Sequence, residues 1–248
     1  MTAHVLTEKV GNVFWIRLNR PDKYNAISSE MYYALIAAFD EADSDDDILI
    51  TVFTAGSDFS PRELQNDSFV GKAGSGSPYK LWADSIIRHS KLLVAIVNGP
   101  AVGIACTTLG LCDVVLASDK AYFLCPFTQL GLNAEACSSY TFLQRMGYLK
   151  AAQLLLLSEK MTATEALQAG LVTKVIPHAD LMAEAQKIIS KYSKLAHQSV
   201  LVSKRLLRPE VEVDKLLTVN RREYEVLMKQ FTCDETLERM MAKFSSKI

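Results

Sequence analysis

The stretch from Leu92 to Cys112, "LLVAIVNGPAVGIACTTLGLC", carries no charge and is long enough to cross a bilayer. Its middle forbids that. Asn98, Gly99 and Pro100 would open the backbone where hydrocarbon offers no hydrogen-bond partner, so the segment reads as a buried strand "KLLVAIV", a turn "NGP" and a helix "AVGIACTTLGL". A strand that is apolar throughout, rather than alternating, has to be covered on both faces, the condition of a parallel sheet between helices. "ILITVFTA", residues 48–55, has the same character.

Elements of both kinds surround this core. Residues 3–18 alternate as two strands joined at Gly11-Asn12, with Val13, Trp15 and Ile16 on the second. Ser28 or Ser29 caps a helix through "EMYYALIAAFDEAD", and "DSDDD" reads as a solvated loop. A helix around "SPYKLWADSIIRHS" precedes the central strand, and the strand "DVVLAS" follows its turn and helix. Strand and helix alternate to about residue 135, which predicts a stacked parallel α/β core. From there the pattern is helical, through "SSYTFLQRMG", "LKAAQLLLLSE", "TATEALQAG", "LMAEAQKIISKYSKLA", "QSVLVSKRLLR" and a long stretch from Val211. At 248 residues the expected division is an α/β core over 1–190 and a helical region over 191–248.

Composition narrows the chemistry. The 27 basic and 28 acidic side chains nearly cancel, so neither a nucleic-acid partner nor membrane insertion is expected. The cysteines at 106, 112, 125, 137 and 233 include no C-x-x-C pair and sit mostly in apolar runs, reading as reduced and intracellular. The opening "MTAHVLTEKVGNVFWIRLNR" has neither the apolar core of a secretory signal nor the character of a transit peptide. Histidines 4, 89, 178 and 197 lack ligand spacing, so no metal is expected. Nucleotide-cofactor fingerprints and a G-x-S-x-G elbow are also absent.

What remains is a lone carboxylate and two chain reversals. Between Lys120 and Arg145 the one formal charge is Glu135, in "GLNAEACSSY". Asn133 as an N-cap would place Glu135 in a first helical turn, where an anion gains about 0.3–1 kcal/mol. Burial would raise its pKa while the helix terminus lowered it, leaving a carboxylate that stays ionised yet accepts a proton. The reversal "VNGPAVGIACTTLG" leaves free N–H groups where a helix begins near Gly103, with that of Ile104 pointing outward. The reversal "GSDFSPREL", residues 56–64, could offer a second N–H from Arg62. Two such donors on one carbonyl oxygen form an oxyanion hole, one donor being worth roughly 10² to 10³ in rate. By spacing alone, both reversals also read as ordinary strand-to-helix connections.

Three segments together, "LNRPDKYNAIS", "IVNGPAVGIACTTLGLCDVVLASDKAYFLCPFTQLGLNAEACSSY" and "MTATEALQAGLVTKV", resemble the crotonase (enoyl-CoA hydratase/isomerase) superfamily across essentially the whole chain. Within it the chain is most similar to the peroxisomal 3,2-trans-enoyl-CoA isomerase branch. The resemblance implies an α/β fold, the crotonase (ClpP-like) spiral of stacked ββα units with a C-terminal helical trimerisation region, and hence a homotrimer. It implies an acyl-CoA thioester substrate, coenzyme A entering as part of that substrate with no separate cofactor. The oxyanion donors fall on the Arg62 and Ile104 N–H groups and the proton shuttle on Glu135, moving the double bond of a 3-enoyl-CoA to trans-2-enoyl-CoA in fatty-acid β-oxidation. Substrate and CoA contacts fall on Lys23, Ala26, the loop from Ser60 to Leu64, Phe127, and on Phe244 and Lys247 reaching a neighbouring subunit. Lys23 and Lys247 read equally as surface lysines.

The hydratases' two catalytic glutamates fall on Thr107 and Phe127, so the groups that hold and activate water are missing. A hydratase is therefore the weaker alternative, and an acyl-CoA-binding protein without turnover is the other. In "SPREL", Pro61 stands where relatives have glycine; proline fixes φ and disfavours a helical Ser60, which bears on the turn that aims the Arg62 N–H. The closing Ser-Lys-Ile resembles the Ser-Lys-Leu peroxisomal address, with mitochondrion and cytoplasm as alternatives.

Overall fold

The computed structural model describes residues 4–55 and 77–245. Their largest feature is a six-stranded sheet in the order β1-β2-β3-β4-β6-β9. Strand β1 (Val5–Val10) turns through Gly11 into antiparallel β2 (Val13–Leu18), while β3 (Ile50–Ala55), β4 (Leu92–Val97), β6 (Val114–Ser118) and β9 (Lys174–Ile176) continue in parallel. Both faces of the central strands are buried. Phe14, Ile16, Phe53, Ala95 and Val97 pack into one apolar cluster, and Val13, Trp15, Val52, Val94 and Ile96 into another. The unbroken apolar runs therefore served two cores at once.

Helices α1 (Ser29–Ser44) and α2 (Pro78–Arg88) cover the first face, and α6 (Leu181–Tyr192) covers the second with Leu181, Ala185 and Ile189. The Ser28 hydroxyl caps α1 by accepting from the Met31 N–H at 3.4 Å. Helix α5 (Ala163–Ala169) carries a capping box between Thr162 and Glu165, and stops at left-handed Gly170. Helices α7 (His197–Leu207), α8 (Glu210–Gln230) and α9 (Asp234–Ser245) complete the described chain.

The structure departs from the sequence-based expectations in particular places. The helix expected over 101–111 begins later, because Ala101–Val102 forms a short strand, β5, before α3 (Ile104–Thr107) and a 3-10 helix at Thr108–Leu111. Strand β5 heads a second sheet with β7 (Tyr122–Leu124) and β8 (Met161–Thr162). Two of these strands and β9 lie beyond the point at which alternation had ended, or inside segments read as helical; each has only two or three residues, too few to show a period. The segment "DSDDD" is not simply solvated. Asp43 accepts from the Ser90 N–H and hydroxyl at 2.6 and 2.8 Å, and Asp45 pairs with Lys9 at 2.6 Å. Among the described residues no helix is long and apolar enough to cross a membrane.

Helix α4 (Ser138–Leu155) is bent at Gly147, whose φ of 70° breaks the helical run. Its first turn lies against Gly110 so closely that a Cβ built there would stand 2.9 Å from the Thr141 Cβ and 3.2 Å from Phe142, with the Thr141 hydroxyl nearer still. Phe142 is fully buried and cannot retreat. Gly110→Ala is therefore expected to lower the unfolding free energy by about 1–3 kcal/mol through overpacking, read as a lower midpoint in urea with an unchanged slope.

Candidate active site

The carboxyl ends of the parallel strands share one edge, where Leu18 pairs with Ala55, Thr54 with Ile96 and Val97 with Ala117. Open α/β sheets bind ligands at this edge. The segment with Lys23 and Ala26 leaves it from β2, through a 3-10 helix at Pro21–Lys23 and left-handed Tyr24 and Asn25. Asn25 closes that loop by accepting from the Arg20 N–H at 2.7 Å, and the Ala26 carbonyl accepts from Arg20 Nη1 at 3.2 Å. From β4 the chain reverses through Asn98, Gly99 and Pro100, and a narrow cleft there is lined by Phe53, Thr54, Ile96, Asn98, Ala101 and Ala105.

Gly103 ends this reversal with φ 62° and ψ −128°, and donates its N–H to Leu124 O at 2.9 Å, tying the turn to β7. The Cys106 and Thr107 N–H groups close on the Gly103 carbonyl. That leaves the Ile104 N–H at the helix start with no backbone acceptor among the described residues. A Cβ built on Gly103 would meet nothing within 4 Å, so the space beside this residue is open. Thr107 and Phe127 are both buried, and the Thr107 hydroxyl donates back to its own helix at Ile104 O, 3.3 Å away. Arg62, Ser60, Pro61, Leu64 and Lys247 lie outside the described residues, as does the side chain of Phe244, whose backbone belongs to the last turn of α9.

Glu135 is 2% exposed, and among the described residues neither carboxyl oxygen has a hydrogen-bond partner. It is not in a helical first turn. Asn133 does not cap α4, which starts at Ser138 after Ala136 and Cys137 in the left-handed region at φ 50° and 64°. Non-glycine residues held there cost roughly 1 kcal/mol or more each, so something must hold them. The holder is a carboxylate that sequence reasoning missed. Glu223 of α8, itself buried, accepts from the Cys137 N–H at 2.7 Å and the Ser139 N–H at 2.9 Å. Asn133 donates to the Glu223 backbone carbonyl at 3.2 Å, and the Cys137 thiol to Leu216 O at 3.1 Å. The signal for Glu223 was present: Leu216, Asn220, Glu223 and Leu227, the buried residues of α8, recur at helical spacing.

The surroundings of Glu135 are aromatic and apolar. Its charge is felt by Tyr32 of α1, Tyr79 of α2 and the Cys125 thiol beyond β7. The Tyr32 and Trp82 rings meet at a tilt with centroids 5.7 Å apart, Trp82 and Phe53 meet edge to face at the same separation, and Tyr79 lies 5.9 Å from Tyr224 of α8. With no donor to hold its charge, burial pushes the Glu135 carboxyl up to about 8, and the Glu223 charge adds to the rise. Burial also raises Glu223, but the bonds from Ser139 and Cys137 pull it back. Two carboxyls thus share a site in which one has bound donors and the other has none. Such a pair suits one fixed anion and one group that carries a proton at neutral pH. No group of three metal-ligating side chains occurs among the described residues.

The family profile described as "Enoyl-CoA hydratase/isomerase" matches residues 8–247. The chain is 41% identical to enoyl-CoA delta isomerase 3, peroxisomal, of Mus musculus, covering 95% of this chain and 74% of that one. It is 39% identical to enoyl-CoA delta isomerase 2 of Rattus norvegicus over 98% of its own length, and spans 64% of that longer relative. The crystal structure of an enoyl-CoA hydratase/isomerase from Pseudoalteromonas atlantica T6c superposes with a TM-score of 0.90 at 34% identity, covering 98% of each chain.

A buried acid raised this far makes stability depend on pH with a definite sign. The folded chain keeps a proton on Glu135 that the unfolded chain has lost, between the ordinary carboxylate range and about 8, so stability falls as pH rises through that window. Glu135→Gln removes the penalty. The variant is expected to gain melting temperature over the wild type as pH rises toward 8, with a difference on the order of a few kcal/mol at the plateau and little difference near pH 4. Thermal unfolding across pH measures it.

Proposed function

The chain belongs to the enoyl-CoA hydratase/isomerase family, with its crotonase spiral fold, and from that premise we propose that it isomerises 3-enoyl-CoA to trans-2-enoyl-CoA with Glu135 as the proton shuttle. The observation that carries the reading is the solitary carboxyl. Hydration needs groups that hold and activate water. The two positions where hydratases place glutamates carry Thr107, bonded into its own helix, and the apolar Phe127. Moving a double bond needs one base that gives back the proton it takes. Glu135, buried among aromatic side chains with both oxygens unengaged, suits that task.

In the proposed sequence, ionised Glu135 removes a proton from C2 of the substrate. The electron pair of the broken C–H bond spreads through the double bond and the thioester as a dienolate. Protonated Glu135 then returns the proton at C4, leaving the double bond between C2 and C3. The negative charge that collects on the thioester oxygen needs fixed donors. The Ile104 N–H, at a helix start with no backbone acceptor among the described residues, is proposed as one and the Arg62 N–H as the other. A carboxyl with pKa near 8 is basic enough to take the proton and acidic enough to return it. Lys23 and Ala26, on the loop at the same sheet edge, are proposed to meet the CoA moiety, along with Ser60, Leu64, Phe127, Phe244 and Lys247.

Large exposed apolar side chains on α4 and α7 favour self-association. Leu149 is 80% exposed, Leu206 77% and Leu207 87%, close to the bend of α4 and the end of α7. A homotrimer built on these helices is proposed. A peroxisomal location is proposed from the name of the mouse relative.

The test uses 3-hexenoyl-CoA and follows the conjugated product by absorbance. Wild-type protein should produce it, and Glu135→Gln should lower turnover by about 10² to 10⁴ while leaving CoA binding nearly intact. Wild-type turnover in that variant would end the proposal, and CoA binding without any turnover in the wild type would leave a ligand-holding protein. For assembly, Leu149→Asp with Leu207→Asp should shift the mass in sedimentation from trimer to monomer.

A further inference from the structure

The mechanism above uses one buried carboxyl, and the fold supplies two. Glu223 sits on α8, far along the chain, yet its side chain ends at the first turn of α4. There it spans the Cys137 and Ser139 N–H groups at 2.7 and 2.9 Å. Those residues follow Glu135 by two and four positions, and the Glu135 carbonyl is itself held by the Ser138 N–H at 3.0 Å and hydroxyl at 2.7 Å. A side chain on α8 thus anchors the strained backbone that aims Glu135.

We propose that Glu223 is the positioning residue of this reaction: it fixes the loop that presents Glu135 to the acyl chain, and it supplies the fixed negative charge against which Glu135 gains and loses its proton. The inference rests on the isomerase reading for the proton's destination, though not for the coupling between the two carboxyls.

The groups facing Glu135 support this assignment. From α1 comes Tyr32, from α2 Tyr79, from the end of β7 the Cys125 thiol beside Cys106, and from α8 Glu223 with Tyr224 behind Tyr79. Tyr32, Tyr79 and the Cys125 thiol are all pushed toward their neutral forms by burial. Among the described residues Glu223 is the one group whose charge adds to burial at Glu135. The nearest ion pair on α2, Lys80 with Asp84, is engaged with itself and with Asn220 Nδ2, which donates to Asp84 Oδ1 at 2.8 Å. Glu223 in turn sits at a helix N-terminus, which favours the anion, and accepts two N–H bonds that a protonated carboxyl would satisfy less well.

Two variants separate charge from position. Glu223→Gln keeps the shape, removes the charge and leaves one N–H without a good acceptor. The Glu135 midpoint, read by isotope-labelled carboxyl NMR with Glu135→Gln as the assignment control, is expected to fall by about one pH unit. The acid limb of the kcat/KM profile with 3-hexenoyl-CoA should fall by the same amount, with kcat reduced more than KM is raised. Glu223→Asp keeps the charge and withdraws it by one methylene; its midpoint should stay close to that of the wild type while kcat falls. An unchanged Glu135 midpoint in Glu223→Gln would overturn the proposal. Should that variant not fold, a Glu135 midpoint in Glu223→Asp within the ordinary carboxylate range would overturn it equally. The NMR titration needs no turnover, so a wild-type protein without isomerase activity would remove the reaction and leave the coupling standing or falling on its own result.

Discussion

The arrangement depends on a carboxyl group denied hydrogen-bond donors in a buried site. Burying an ionised carboxylate without a partner is costly, and proteins ordinarily answer with a salt bridge or a ring of N–H groups. Here the donors go to the neighbouring acid instead. The Cys137 and Ser139 N–H groups, two and four residues after Glu135, are taken up by Glu223. The fold thus gives two chemically identical side chains different surroundings by the allocation of two backbone bonds: Glu223 accepts both, and among the described residues Glu135 accepts none.

Much of the fold was legible because its strands are extreme. "KLLVAIV" and "ILITVFTA" admit few environments other than the middle of a parallel sheet, and they became β4 and β3 with both faces buried. The second sheet was not legible for the opposite reason. A strand such as Ala101–Val102 exists because Gly103 bonds to Leu124 across the chain, and two residues carry no period of their own. The segment Lys174–Ile176, lying between the segments "TATEALQAG" and "LMAEAQKIISKYSKLA" that read as helices, went unread for the same cause, although it closes the edge of the main sheet beside β6.

At the site, Glu135 was legible through its isolation among uncharged neighbours, and Ile104 through the turn that precedes it. It also suggested a helix cap at Asn133, where local rules would put one, but tertiary contact overrode them: the cap of α4 arrives from α8 as the Glu223 side chain, and Asn133 bonds to the Glu223 backbone. Capping rules are written for residues close in sequence and have no term for a partner on another helix. The apolar period of α8 shows that Glu223 faces inward; what it meets there required the packing of α8 against α2 and α4.

The bond between Cys137 and Glu223 spans 86 residues. A chain emerging from the ribosome can pair its parallel strands and close much of its core long before α8 exists. Contacts of such long separation form late, after the entropy of a large loop has been lost. Until α8 docks, the left-handed pair before α4 has no anchor, and the acid it carries is free to point elsewhere. A nascent or clipped chain lacking α8 would therefore keep most of the sheet while losing the anchor of the loop that carries Glu135.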